Sequence, residues 1–246
     1  MDEMESLNIG ASNFSFSATK IDELGATEYT LVSIVVDKSS SVSPFADLLL
    51  KMVKTIIESC KKSPRAENLM IRLLYFSSKN QLEEVHGFKL LNSINTDDYK
   101  DIRPCGCTAL VDASFSAIGS TLTYAKNLID QDFDVNGIIF IITDGQENDS
   151  TMTMDSVQKQ IAESRKQENI ESLQTILIGV TDDDQISSYL QGFKDEAGLD
   201  DYKDAGEATK ESLAKIANFA SQSVSSVSQS LQQGPGSVAA SQPLTI

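Results

Sequence analysis

Leu31-Val32-Ser33-Ile34-Val35-Val36 runs directly into Asp37-Lys38-Ser39-Ser40-Ser41. The apolar run reads as a buried strand, and the segment after it has the pattern D-x-S-x-S. One carboxylate and two hydroxyls at the carboxyl end of a strand form half of an oxygen-only cation site. Two later segments supply the rest. Thr108 lies in Cys105-Gly106-Cys107-Thr108-Ala109-Leu110, and Asp144 ends a second apolar strand, Gly137 to Thr143. Two carboxylates offset the charge of a divalent ion, and hydroxyls add ligands without adding charge. Mg²⁺ keeps several waters, so a site of this kind retains an open position.

The flanking sequence places these residues. Ser43 reads as an N-cap and Pro44 as the first helical position. Asp47 suits the positive end of the helix dipole. Phe45, Leu48, Leu49, Met52, Val53, Ile56 and Cys60 follow at helical spacing. Further strands are expected at Met70–Phe76 and Leu173–Val180, with an antiparallel edge strand at Glu84–Phe88. Helices are expected over about 109–130, 154–167 and 184–196, and a last one from Ala208. This alternation means an α/β domain with a mainly parallel sheet and helices on both faces. The last helix carries only Ser and Gln on its polar face past Asn218. That half frays unless something covers it: either it docks on the sheet or it is offered to a partner. Residues 1–28 read as a flexible N-terminal arm with a short docking segment around Phe14 and Phe16. The domain covers 29–232, and 233–246 reads as a disordered tail.

Taken together, Asp37, Ser39, Ser41, Thr108 and Asp144 resemble the five-residue motif of a von Willebrand factor type A (vWA) domain with an intact metal-ion-dependent adhesion site. The resemblance covers roughly residues 29 to 220 and is similar to the single-domain members of bacteria and their phages. It implies a Rossmann-like, doubly wound sheet with one antiparallel edge strand. It implies Mg²⁺, with Mn²⁺ or Ca²⁺ as alternatives, held by those five residues, with Thr108 binding directly or through water. An Asp or Glu carboxylate of another protein would complete the ion's coordination. The Cys105-Gly106-Cys107 lead-in departs from the family's common Gly-Gly. The alternatives are a structural or assembly protein, such as a phage particle component, whose site is mainly structural, or an adaptor for an AAA+ ATPase.

Asp112 stands one helical turn after Thr108 and is a candidate to hold a metal-bound water or to cap. Glu147, Asp149 and Asp182 follow strand ends, either as solvated loop charges or as parts of an acidic rim around the ion. With 36 acidic and 20 basic residues, the net charge of −16 argues against nucleic acid or an anionic membrane as ligand. No run is long enough to span a membrane. The acidic start, Met1-Asp2-Glu3-Met4-Glu5, lacks a signal pattern, so a cytoplasmic protein is expected, or a virion component if phage-encoded. Three cysteines give no disulfide framework. The sole histidine, His86, has no nucleophile near it in sequence, and no phosphate-binding glycine motif appears. The chain is therefore expected not to be an enzyme, and its oligomeric state is left open.

Overall fold

β3 (Glu28–Asp37) is the spine of the molecule, because every residue from Tyr29 to Asp37 is buried. A strand covered on both faces needs apolar side chains at odd and even positions alike, and this one has them. The computed structural model describes residues 3–166, 170 and 172–230. β3 pairs in parallel with β4 (Leu69–Phe76) on one side and β6 (Asp134–Thr143) on the other. Beyond β6 lie β7 (Ser172–Gly179) and β8 (Asp201–Asp204), both parallel. Beyond β4 lies β5 (Leu82–Leu90), antiparallel.

The expected edge strand is therefore present, but two more strands extend the sheet past it. β1 (Met4–Asn8) and β2 (Ser15–Thr19) form an antiparallel hairpin, and Ala18 of β2 bridges in parallel to Phe88 of β5. This corrects the expectation of a flexible arm over residues 1–28. Phe16 and Ala18 face the core, and Tyr124 donates its hydroxyl hydrogen to the Thr19 carbonyl at 2.6 Å. Gly87 permits the contact: a Cβ there would stand 1.8 Å from the Ser17 carbonyl oxygen. Among the described residues the strand order is β1-β2-β5-β4-β3-β6-β7-β8. The tail over 233–246 lies outside the described residues, as do the last two positions of the expected domain.

Among the described residues, five α-helices cover the two faces. α1 (Ala46–Cys60) and α5 (Lys210–Ser230) pack on one face with Val32, Ile34 and Val36 of β3. α2 (Leu110–Ile129), α3 (Met154–Lys166) and α4 (Asp184–Ala197) pack on the other with Leu31 and Val35. The period-two alternation of β3 thus divides the core into two layers. The start of α1 differs from expectation. Ser40–Phe45 form a 3₁₀ turn that includes Pro44, and Ser43 bonds the Ser40 carbonyl instead of capping. Pro44 suits this tighter turn because its φ is already set and it needs no donor. The far half of α5 is covered, not frayed. Arg65 donates through Nε to Ser228 Oγ at 3.0 Å, and Asn136 donates to the Val227 carbonyl at 2.9 Å. Among the described residues, no helix is long and apolar enough to cross a membrane.

Candidate metal site

The chain leaves β3 toward β4 and later returns to the opposite side of β3 as β6. The crevice at the carboxyl ends of these two strands is the topological switch point, where open α/β sheets bind ligands. Asp37 ends β3, and Asp144 directly follows β6. A chain of polar contacts joins them. Ser39 Oγ lies 3.0 Å from Ser41 Oγ, and Ser41 Oγ donates to Asp144 Oδ1 at 2.9 Å. Asp37 Oδ1 accepts from the Ser39 backbone N–H at 2.7 Å, and Oδ2 accepts from Thr143 Oγ1 at 2.6 Å. The Ser39 bond to Asp37 Oδ1 folds the D-x-S-x-S segment back over its own strand end.

Thr108 arrives from a separate loop. Its side chain is buried, and a Cβ placed on Gly145 would stand 3.5 Å from its Oγ1, so it borders the loop that holds Asp144. The Cys-Gly-Cys lead-in is shaped for this placement. Gly106 has φ +75°, a conformation that suits glycine, and its carbonyl accepts from Ser40 N–H at 3.2 Å. Cys105 N–H bonds the Lys38 carbonyl at 2.8 Å. The one glycine needed is therefore present, and the flanking cysteines are free thiols pointing outward.

Electrostatically the site is a pair of acids. Burial raises the Asp37 carboxyl to about 6, with the nearby Asp144 charge adding to it, against the bonds from Thr143 and Ser39. Burial also raises Asp144, and the Ser41 bond opposes it. No basic side chain takes part in either shift. Among the described residues, no three His, Cys, Asp or Glu side chains cluster to form a metal site. Two carboxylates with alcohol oxygens are instead a donor set for a hard cation that keeps water.

The four neighbouring acids have distinct places. Asp112 is fully buried and accepts from Thr151 N–H, Thr151 Oγ1 and Met152 N–H at 2.7 to 3.3 Å. Its oxygens anchor the loop between β6 and α3. Glu147 accepts from Val111 N–H at 2.8 Å and from Ser150 N–H and Oγ at 2.7 Å. It thereby caps α2, whose own N-cap residue, Ala109, has no side-chain acceptor. Asp149 accepts from Lys79 N–H at 3.2 Å and pairs with its ammonium at 3.7 Å. Asp182 is exposed in the loop before α4. Only Asp182 matches a simple solvated loop charge. Thr143 and Asn148 were missed in the sequence. Asn148 Oδ1 accepts from Thr108 N–H at 2.8 Å, and its own N–H bonds the Thr108 carbonyl at 3.0 Å. A Thr before the strand-ending Asp and an Asn four residues after it were the available signals.

Comparison with known proteins supports the fold. In fold, the chain is similar to the PilB minor pilin from Streptococcus sanguinis, at 16% identity and TM-score 0.59, over 92% of this chain and 68% of that one. It is also similar to proximal thread matrix protein 1 from the mussel byssus, at 15% identity and TM-score 0.57, over 81% and 48%. A second structure of that byssus protein has a zinc-occupied metal-ion-dependent adhesion site; it matches at 17% identity and TM-score 0.51, over 81% and 46%. The chain thus spans about half of the byssus protein and about two thirds of the pilin. No sequence relative was found among curated proteins. The von Willebrand factor type A domain family matches residues 32–234, most of the sequence, and the chain belongs to that family.

Proposed function

We propose that this protein binds one divalent cation, Mg²⁺ by preference, and uses it to hold an Asp or Glu carboxylate of a partner protein. The observation that carries this reading is the pair of acids, buried Asp37 and half-buried Asp144, linked through Ser39 and Ser41, with no basic side chain among the causes of either acid's shift. Two carboxylates that face one crevice repel each other unless a positive charge stands between them. A bound cation supplies that charge and an open coordination position. Asp37 and Asp144 would neutralise it, and the hydroxyls of Ser39, Ser41 and Thr108 would add neutral oxygens. Oxygen ligands favour Mg²⁺, Mn²⁺ or Ca²⁺ over softer ions. The byssus protein holds zinc at its corresponding motif, so zinc belongs among the ions to compare.

Interaction is favoured over catalysis. His86 is buried, with Nε2 2.7 Å from the Tyr99 hydroxyl and Nδ1 2.9 Å from the Gly87 carbonyl, so neither nitrogen is available to a substrate. Three free thiols, two of them exposed, suit a reducing compartment and support a cytoplasmic location. The test is a pull-down with wild type in Mg²⁺, wild type in chelator, and Asp144→Ala. A protein retained only by wild type in Mg²⁺ supports the bridge. The same catch in all three arms limits the ion to a structural role.

A further inference from the structure

A second cavity lies away from the metal crevice. It holds about 540 Å³ between the turn of the β1–β2 hairpin, the strands β4 and β5, and the loop after β6. Phe14, Leu74, Leu82 and Met152 give it apolar walls, and Arg72 and Glu84 line it as well. One wall, Ala11 to Ser15, precedes the segment that matches the family.

Arg72 is the unusual element. It is 1% exposed in the middle of an apolar strand. Its Nε donates to Glu84 Oε2 at 2.7 Å, and Nη2 reaches Ser116 Oγ at 3.4 Å. Nη1 is buried without a hydrogen-bond acceptor, and the guanidinium carbon stands 5.9 Å from the centre of the Phe16 ring. A buried N–H donor left unmatched is costly, and such groups call for an acceptor. The charge, by contrast, is already matched. Glu84 balances the guanidinium, and its other oxygen accepts from Ser17 N–H at 2.9 Å and Ser17 Oγ at 2.6 Å. What the cavity lacks is a neutral acceptor, not an anion. A volume of this size suits a small organic molecule.

We propose that this cavity binds a small molecule with an apolar body and an uncharged carbonyl oxygen, such as an amide, which accepts from Arg72. An added carboxylate would bring a second negative charge beside Glu84 in a partly dry site, so the acid form of the same molecule binds more weakly.

The test is an amide-resonance titration of the ¹⁵N-labelled full chain, in chelator so that the metal crevice is silent. The probes are phenylacetamide and phenylacetate. Saturable shifts are expected at Phe14, Ser116 and Met152 with phenylacetamide, and the acid should bind at least about tenfold more weakly. Ser15→Trp, an exposed position on the cavity rim, should remove the shifts while leaving the melting curve unchanged. Arg72→Lys, which loses the planar donor but keeps the charge, should weaken phenylacetamide. The proposal fails if phenylacetamide gives no saturable shift or if phenylacetate binds as well or better. It also fails if folded Ser15→Trp responds as the wild type does. If Arg72→Lys does not fold, the probe ratio and Ser15→Trp still decide.

Discussion

Two pairs of charges, each with one buried and one half-buried member, belong to this sheet, and they are built on opposite principles. Arg72 and Glu84 meet across neighbouring strands as base and acid, and their charges balance within the chain. Asp37 and Asp144 meet across the crevice as acid and acid, linked by the Ser39 backbone N–H and the hydroxyls of Ser39 and Ser41. The first arrangement holds the N-terminal hairpin in place, since Glu84 also binds Ser17. The second leaves the folded chain short of a positive charge. The difference separates a pair whose charge is balanced by the chain itself from a pair whose charge it does not balance.

The sharpest way to break the comparison is to make the first cluster resemble the second. Glu84→Ala leaves Arg72 buried without its counter-charge, and unfolding in urea should show a loss of about 3–5 kcal/mol. A much smaller loss would mean that water reaches the guanidinium. Supplying the missing charge should act in the other direction. Mg²⁺ at about 100 times its dissociation constant should raise wild-type stability by about 2.7 kcal/mol, seen as a higher melting temperature. Asp144→Ala should show no such rise.

A third change makes the second cluster less acidic. A buried carboxyl whose folded value is raised favours the folded state while protonated. That contribution is lost as pH rises through about 6. At pH 7 in chelator, Asp37→Asn should therefore be more stable than wild type by about 1–3 kcal/mol. The advantage should shrink as pH falls below 6, and the variant should lose its response to Mg²⁺. Equal stability at pH 7 would mean that the apo crevice tolerates both charges. The smallest effect is expected at the loop that links the metal crevice to the second cavity. Thr151→Val removes the hydroxyl bond to Asp112 but keeps the backbone ones, so a loss of about 1 kcal/mol is expected in thermal unfolding.

The grouping of the candidate residues in one crevice was legible because each is fixed by local context. Asp37 and Asp144 close apolar runs, Ser39 and Ser41 follow at fixed spacing, and Thr108 precedes a helix. The main elements were legible for the same reason: a continuous apolar run in β3 and helical spacing in α1. The N-terminal hairpin was not. Ser15-Phe16-Ser17-Ala18-Thr19 presents only Phe16 and Ala18 as apolar side chains, and its pairing depends on a glycine seventy residues away. β8, Asp201-Tyr202-Lys203-Asp204, is polar throughout and gave no strand signal. The roles of Asp112 and Glu147 were hidden because they bind backbone amides about forty residues distant in sequence. Arg72 did leave a trace, as one charge inside Met70-Ile71-Arg72-Leu73-Leu74, but nothing local announced Glu84 as its partner.

The most direct test of the central claim is isothermal titration of Mg²⁺ into apo wild type and apo Asp144→Ala at pH 7. One ion per chain bound by wild type, with no saturable heat from the variant, is the predicted result. Absence of saturable binding to wild type, or equal binding to both proteins, would contradict a cation site built on these two acids.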